Sequence, residues 1–370
     1  MNPTISQISE SGDLYKFTLS GLNVSLANAL RRIILSEIPT VVIRTETYQD
    51  NQCNIALNTS RLHNEILKQR LSCIPIHMKM NELELLPGNY VLEVDVKNDT
   101  ESIMYVTTEQ FKIKNKTNGN FLTREETQRI FPPCIKTNSY IDFARLRPKI
   151  SDSIPGEALK LTAEFSISNA RENSMFNVVS KCSYGNTPDM EKINEEWNER
   201  ESKFRSQEMP KNEIDFHKKN YYILDAQRKY VEDSYDFVVQ TVGVFENRDI
   251  VKTAANVLVK KFQLLIDDLE SEIVLSILNS ETTIENCYDV ILENEDYTIG
   301  KVIEYILYEK YYIGEKTLTF CGFKKFHPHD TNSTIRIAFE KKSEKSMIKS
   351  YLHTACTDAQ EVFKKIYNLF

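Results

Sequence analysis

The sequence predicts an α+β protein in which one chain carries two like modules, with a β-rich lobe inserted into the first. Three observations predict it. Strand patterns flank a capped amphipathic helix near each end of the chain. The helices LANALRRII (26–34) and IGKVIEYIL (299–307) place apolar residues at the same five positions, the first, fourth, fifth, eighth and ninth. Between them, the residues up to about 168 read mostly as strands broken by polar turns.

LYKFTL (14–19) alternates, with Leu14, Lys16 and Thr18 opposite Tyr15, Phe17 and Leu19, and reads as a strand. SLANALRRIILSEIPT (25–40) reads as a helix entered from a serine cap and stopped at Pro39. At about 100° per residue, Leu26, Ala29, Leu30, Ile33 and Ile34 form one stripe, and Arg31 and Arg32 fall to either side of the opposite face. TVVIRTETY (40–48) is β-branched and leaves the helix as a strand. A second helix is expected from about 58–60, with Leu62, Ile66, Leu67 and Leu71 as its buried stripe and Pro75 closing it. YVLEVDV (90–96) and LKLTAEFSI (159–167) are the clearest strands of the inserted lobe.

EKINEEWNERESKFRSQ (191–207) is charged and helix-prone; its simplest reading is a solvated helix with Trp197 as a single apolar anchor. The strand YDFVVQTV (235–242) leads into a long helix over about 249–269. There Val251, Ala255, Leu258, Phe262, Leu265 and Leu269 make a continuous seam for helix-on-helix packing. The last ninety residues repeat the opening plan: CYDVILENED as a strand, TIGKVIEYILYEKY as a capped helix, TLTFCGFK and TIRIAF as strands, and a long helix from about Glu344. Two such modules can stack face to face, burying Leu26, Ala29, Leu30 and Ile33 against Ile299, Val302, Ile303 and Ile306. A covalent link makes that association intramolecular, with an effective concentration on the order of millimolar.

Composition narrows the chemistry. The 370 residues, 41% of them hydrophobic, suffice for two or three domains with real cores. A net charge of −7 argues against a broad basic face gripping phosphates, so little or no direct nucleic-acid contact is expected. No apolar run reaches the roughly 18 residues that span a bilayer, and MNPTISQISESGD lacks the layout of a signal peptide, so a soluble, intracellular protein is expected. Seven scattered cysteines without CxxC pairs read as reduced thiols. The ten glycines form neither GxGxxG nor GxxxxGK[ST], which leaves the usual nucleotide loops without a basis.

Candidate chemistry is sparse. Cys321 with His327, His329 and Asp330 is the most tempting metal set, but a polar hairpin tip explains the same residues. Cys73 and His77 flank Pro75 where a helix ends, a weak thiol–imidazole candidate. Glu37, at the last turn of its helix, is read as a structural carboxylate paired with a cation or with backbone donors. Arg31 and Arg32 sit on a rigid platform, from which two guanidinium forks can hold a partner's carboxylates or carbonyls.

Asn28-Ala29-Leu30-Arg31-Arg32 followed by Glu37-Ile38-Pro39-Thr40 resembles the signature of the α-type assembly subunit of multisubunit DNA-directed RNA polymerases: bacterial α, its archaeal D-type counterpart and the eukaryotic third subunit. The resemblance continues through Asn58-Thr59-Ser60-Arg61-Leu62, Glu65, Arg70-Leu71, Ile74-Pro75, 156–161 and 233–237. The C-terminal part, through 295–300, Gly322-Phe323 and His327-Pro328, resembles the smaller partner, archaeal L-type or the eukaryotic eleventh subunit. A chain carrying both is similar to the fused polymerase component of giant DNA viruses, which would place it in the virion and the host cytoplasm if viral, and otherwise with the transcription machinery.

The resemblance implies a D-like dimerisation domain over 1–45 and 225–275, an inserted β-rich domain over 46–224 and an L-like dimerisation domain over 281–370. It implies a non-catalytic platform, an intramolecular pseudo-dimer that receives the largest and second-largest polymerase subunits and small subunits. Arg31, Arg32, Glu37, Arg61 and Arg70 would lie on or near the surface for the second-largest subunit. Some members bind zinc or an iron–sulfur centre in the inserted lobe; here Cys134 and Cys182 stand alone, so no cofactor is expected. Tyr297 stands where a histidine is usual, and Phe326 where a proline is. The competing readings are a stand-alone thiol or metal hydrolase and a generic adaptor.

Overall fold

The computed structural model describes residues 1–151, 153–271 and 276–370. The expected linker between about Ser271 and Thr283 therefore lies partly outside the described residues. From the N-terminus, β1 (Thr4–Ser11), β2 (Leu14–Ser20) and α1 (Val24–Ser36) precede β3 (Thr40–Val42), β4 (Cys53–Asn58), α2 (Asn64–Ser72), β5 (Tyr90–Lys97), β6 (Met104–Thr107) and β7 (Lys112–Asn115). Next come α3 (Arg124–Ile130), β8 (Asp142–Leu146), β9 (Ala158–Glu164), β10 (Ser166–Ser168), β11 (Val179–Pro188), α4 (Met190–Ser206) and α5 (Lys211–Ile223). Then follow β12 (Tyr230–Thr241), α6 (Asn247–Glu270), β13 (Ile277–Asn279), β14 (Cys287–Leu292), α7 (Tyr297–Leu307), β15 (Leu318–Lys324), β16 (Ser333–Phe339) and α8 (Lys345–Leu369).

The chain divides into two compact units, one of residues 1–34, 181–240 and 251–370, the other of 35–180 and 241–250. The first unit holds two four-stranded sheets, ordered β1-β2-β12-β11 and β13-β14-β16-β15. Counted within its own module, each sheet runs first, second, fourth, third strand. A short helix (α1 or α7) follows the second strand, and a long one (α6 or α8) follows the fourth. The repeat seen in helix spacing is thus also a repeat of topology.

Alternation builds these sheets. On β2, Tyr15, Phe17 and Leu19 are buried while Lys16 is exposed. Phe17 pairs in register with Phe237 of β12, and their rings stack at 5.1 Å. Thr18, on the other face, is buried because its hydroxyl donates to Asp236 Oδ1 at 2.7 Å. The seam expected on α6 is buried at all six positions, and it meets α8: Phe262 stacks on Phe363 at 5.9 Å, and Gln360 Nε2 donates to Gln263 Oε1 at 2.8 Å. Phe370 closes edge-on against Phe17 at 5.1 Å, so α8 also reaches the first module's sheet.

In the second module, Asp289 on β14 lies in register with Arg336 on β16 and takes two bonds, from Nε at 2.7 Å and Nη2 at 2.8 Å. That guanidinium holds the Asp289 carboxyl below its ordinary value of 3.8. A depressed folded value means the pair's stabilisation is complete above the unfolded value and is lost as pH falls through the folded one. Asp289→Asn should therefore flatten the acid limb of the stability profile, below about pH 5, in urea titrations. An acid limb identical to the parent's would exclude this role.

Several expectations are corrected locally. The cap of α1 is Asn23, whose Oδ1 accepts from Ser25 N at 2.9 Å, because Asn23 and not Ser25 stands before the first helical residue. The second helix starts at Asn64 rather than 58–60: Asn58 Oδ1 accepts from Ser60 N, and its Nδ2 donates to Leu62 O, which makes a turn of the segment. Leu67 and Leu71 are buried, but Ile66 is exposed.

The expected inserted lobe of 46–224 is shorter at its C-terminal side. Residues 181–224 belong with the first unit, since β11 adds to the β1-β2-β12 sheet and α4 and α5 lie between β11 and β12. These two helices form a hairpin with a small core of their own, in which Trp197 packs with Ile193, Tyr221 and Ala226 rather than acting as a lone anchor. The indole N–H donates to Glu201 Oε2 at 2.8 Å.

The second unit holds a sheet ordered β4-β9-β5-β7 and two ribbons, β3-β10 and β6-β8. Phe111 meets Phe131 and Phe143 edge-on at 5.3 and 5.5 Å. Asn98, fully buried, ties the chain together: its Nδ2 donates to Ser102 O and Leu146 O, and its Oδ1 accepts from Thr100 N. No helix among the described residues is long and apolar enough to cross a membrane.

Candidate subunit interface

The sequence-derived interface residues divide between the two units, and each has a definite local setting. Arg31 and Arg32 leave α1 away from its buried stripe, as the helical spacing requires. Arg31 folds back along its own helix, donating from Nε and Nη2 to Asn28 Oδ1 at 3.1 and 2.9 Å. Its charge also reaches β11: burial pushes the Cys182 thiol up to about 12, and the Arg31 cation offsets part of that rise.

Arg32 is engaged within the chain: its Nη2 donates to Asp296 Oδ2 at 2.7 Å and its Nε to Thr298 Oγ1 at 2.7 Å. Both acceptors stand at the N-terminus of α7, where Asp296 Oδ1 caps the helix by accepting from Thr298 N at 2.8 Å. Beside this contact, Lys261 of α6 donates to both oxygens of Glu295 at 3.1 and 3.3 Å. Two cations from the first module thus hold the two acids that open the second module's short helix.

All eight seam residues, Leu26, Ala29, Leu30, Ile33, Ile299, Val302, Ile303 and Ile306, are 5% exposed or less and belong to the first unit. Gly300, between the α7 seam positions, lets the Phe323 ring of β15 lie directly on the helix: a Cβ there would stand 2.0 Å from a ring carbon.

In the second unit, Glu37 Oε1 accepts from Arg171 Nη1 at 2.8 Å, and Arg171 N donates to Ser36 O, the cation-paired structural carboxylate that the sequence suggested. Arg70 of α2 bonds the edge of β8, with Nε on Phe143 O at 2.9 Å and Nη2 on Asp142 O at 2.6 Å. Arg61 and Arg70 line one groove of ≈ 600 Å³ with Leu62, Ile103 and the β8 strand. Sequence reasoning missed that Arg145 and Arg147 share this groove, because pairing with β6 brings Arg145 there and the Glu157 carboxylate holds Arg147, both from distant stretches. Arg145 lies 5.0 Å over the Tyr105 ring, and Arg147 Nε bonds Glu157 Oε1 at 2.5 Å. Four arginines and two acids, Asp142 and Glu157, thus line the groove, with Arg70 engaged on backbone carbonyls and Arg147 on Glu157.

The other candidates do not converge. Among the described residues, no three His, Cys, Asp or Glu side chains are placed to hold a metal ion. The Cys321 thiol, raised by burial and then by Glu304 to about 12, points at Glu304 O at 3.8 Å. The His327 and His329 rings stand 5.2 Å apart on an exposed turn. Cys73 and His77 line different clefts, and burial holds the His77 imidazole below its ordinary 6.5. Lys261, Glu295 and Asp296 also went unassigned as contact residues; a pair of acids directly before a helix was the available signal.

Comparison with known proteins gives a family. The model of the RNA polymerase Rpb3/Rpb11 dimerisation domain matches residues 16–262, which run from β2 into α6. Similar proteins include the DNA-directed RNA polymerases IV and V subunit 3B of Arabidopsis thaliana, 40% identical over 20% of this chain and 21% of the relative. The DNA-directed RNA polymerase subunit Rpo3 of Pyrococcus furiosus is 33% identical over 25% of this chain and 34% of the relative. Against both, the chain spans well under two thirds of the relative's length. The Rpo3 subunit of Pyrococcus horikoshii is 25% identical over 72% of this chain and 97% of the relative.

Proposed function

Because the chain belongs to the RNA polymerase Rpb3/Rpb11 dimerisation-domain family, we propose that it is a non-catalytic assembly platform of a DNA-directed RNA polymerase. On this reading its two modules form an intramolecular pseudo-dimer, a D-like and an L-like part fused in one chain as in giant DNA viruses. The two large catalytic subunits then assemble on it, with small subunits joining. The observation that carries the reading is the matching strand order of the two sheets, each closed by a long helix, with α6 packed on α8. A fused pair needs no second chain to bury its stripes, so the platform exists as soon as the chain folds.

Arg31 of the first unit and, in the second unit, Glu37 and the groove of Arg61 and Arg70 would each contribute contacts to the second-largest subunit. Arg32 would contribute indirectly, since its guanidinium is engaged on α7. Purification of the tagged chain from its native source tests the proposal: two very large chains should co-elute, and Arg31→Ala with Arg61→Ala should cut recovery of the second-largest about tenfold without lowering Tm, the loss of roughly two charge-assisted contacts. A chain eluting alone would end this reading; undiminished capture by the variant would remove those arginines from the interface.

A further inference from the structure

The two short helices are equivalent in more than spacing. Aligning Leu26 with Ile299 places Asn23 opposite Asp296, Ser25 opposite Thr298 and Arg32 opposite Tyr305. The structure bears out the first pair in detail, since each side-chain oxygen caps its helix by accepting from the N–H two residues on, at 2.9 Å in α1 and 2.8 Å in α7. The backbone agrees: Ala27 N donates to Asn23 O, and Gly300 N to Asp296 O. At equivalent positions, then, the first module has a neutral cap and a cation, and the second has an anionic cap and a phenol.

The cation of the first module reaches the anionic cap of the second, because Arg32 Nη2 bonds the Asp296 oxygen that the cap leaves over. At the position equivalent to Arg32 the second module carries the Tyr305 phenol, so the contact is asymmetric in charge.

We infer that the Arg32–Asp296 pair is a pairing-specificity device, making each module complementary to its unlike neighbour and not to a copy of itself. A first module facing its own copy would set Arg32 against the neutral Asn23 cap. A second module facing its own copy would set Tyr305 against Asp296, with no guanidinium at the place of Arg32. Only the unlike pairing brings the Arg32 guanidinium to the Asp296 carboxylate, and Lys261 on Glu295 adds a second opposite-charge contact one residue away. The energetic logic is that of charges that select partners among equally apolar surfaces. The inference rests on the pseudo-dimer reading.

The test uses the full chain and Asp296→Asn, which keeps a capping side chain of the kind α1 already uses. In the parent background this change should lower Tm by roughly 1 to 3 °C, and by less in 1 M salt. In an Arg32→Asp background, where two carboxylates face each other, the same change should raise Tm. If Arg32→Asp does not fold, Arg32→Gln serves, and there Asp296→Asn should leave Tm unmoved. A drop of equal size whatever stands at position 32 would overturn the inference, since it would report the cap alone. Co-elution of polymerase subunits is a separate readout, so failure of the platform role and failure of the charge device are distinguishable.

Discussion

Replacing Gly156 with alanine is expected to destabilise the second unit by at least about 3 kcal/mol, beyond ordinary overpacking. A Cβ at this position would lie 1.6 Å from the carbonyl oxygen of Asn98 and 2.8 Å from its carbonyl carbon. Those are backbone atoms, so no rotamer change relieves the clash. Nor can the Asn98 peptide shift freely, since its N–H donates to Glu157 O at 2.9 Å and its side chain is bonded on both ends inside the core. Moving it would strand buried polar groups, each costing about 1–3 kcal/mol. Urea unfolding with limited proteolysis between β5 and β9 measures the effect. A loss under about 1 kcal/mol would mean that this crossing is softer than its bonds suggest.

Phe262→Ala should cost about 3–5 kcal/mol, the range for removing a fully buried aromatic side chain. Phe262 has no exposed surface, and its stacking partner Phe363 is as deeply buried. The cavity would open between two long helices whose facing polar contact, Gln360 on Gln263, holds their separation, so collapse of the void is limited. Because the rings share one space, Phe262→Ala with Phe363→Ala should cost less than the two losses added. Thermal unfolding of the three variants decides this, and strictly additive losses would show that the rings act independently.

The legible parts of the fold were those specified by neighbours close in sequence. The α6 stripe from Val251 to Leu269 follows from a 3.6-residue period, and the β2 alternation from a period of two, so both survive translation into structure. The duplicated helix stripe was legible for the same reason. Capping was half legible. Asn23, Ser25, Asn58 and Ser60 all have side chains able to bond nearby backbone, and which one starts a helix depends on where the chain must turn. The α4–α5 hairpin was seen as a charged helix but not as a miniature core, because Tyr221 reaches Trp197 only after the chain reverses.

The interface was legible as residue types and not as contacts. Arg31, Arg32, Glu37, Arg61 and Arg70 stand out in sequence because guanidinium and carboxylate groups on or beside helices with buried stripes need a reason to be there. Their partners are Asn28, Asp296 with Thr298, Arg171, and the Asp142 and Phe143 carbonyls, and for Arg61 a shared groove with Arg145 and Arg147. Only Asn28 is close enough in sequence to be inferred.

By itself the sequence determined the α+β class, the internal repeat, the buried stripes and the absence of nucleotide-loop motifs. All of these are set by periodicity and composition, which act over a few residues. The tertiary structure alone decided that Arg32 belongs to the α7 cap, that β11 extends the first sheet and that four arginines share one groove. A guanidinium takes whichever oxygen the folded chain brings within about 3 Å, and that choice is made by segments far apart along the polypeptide.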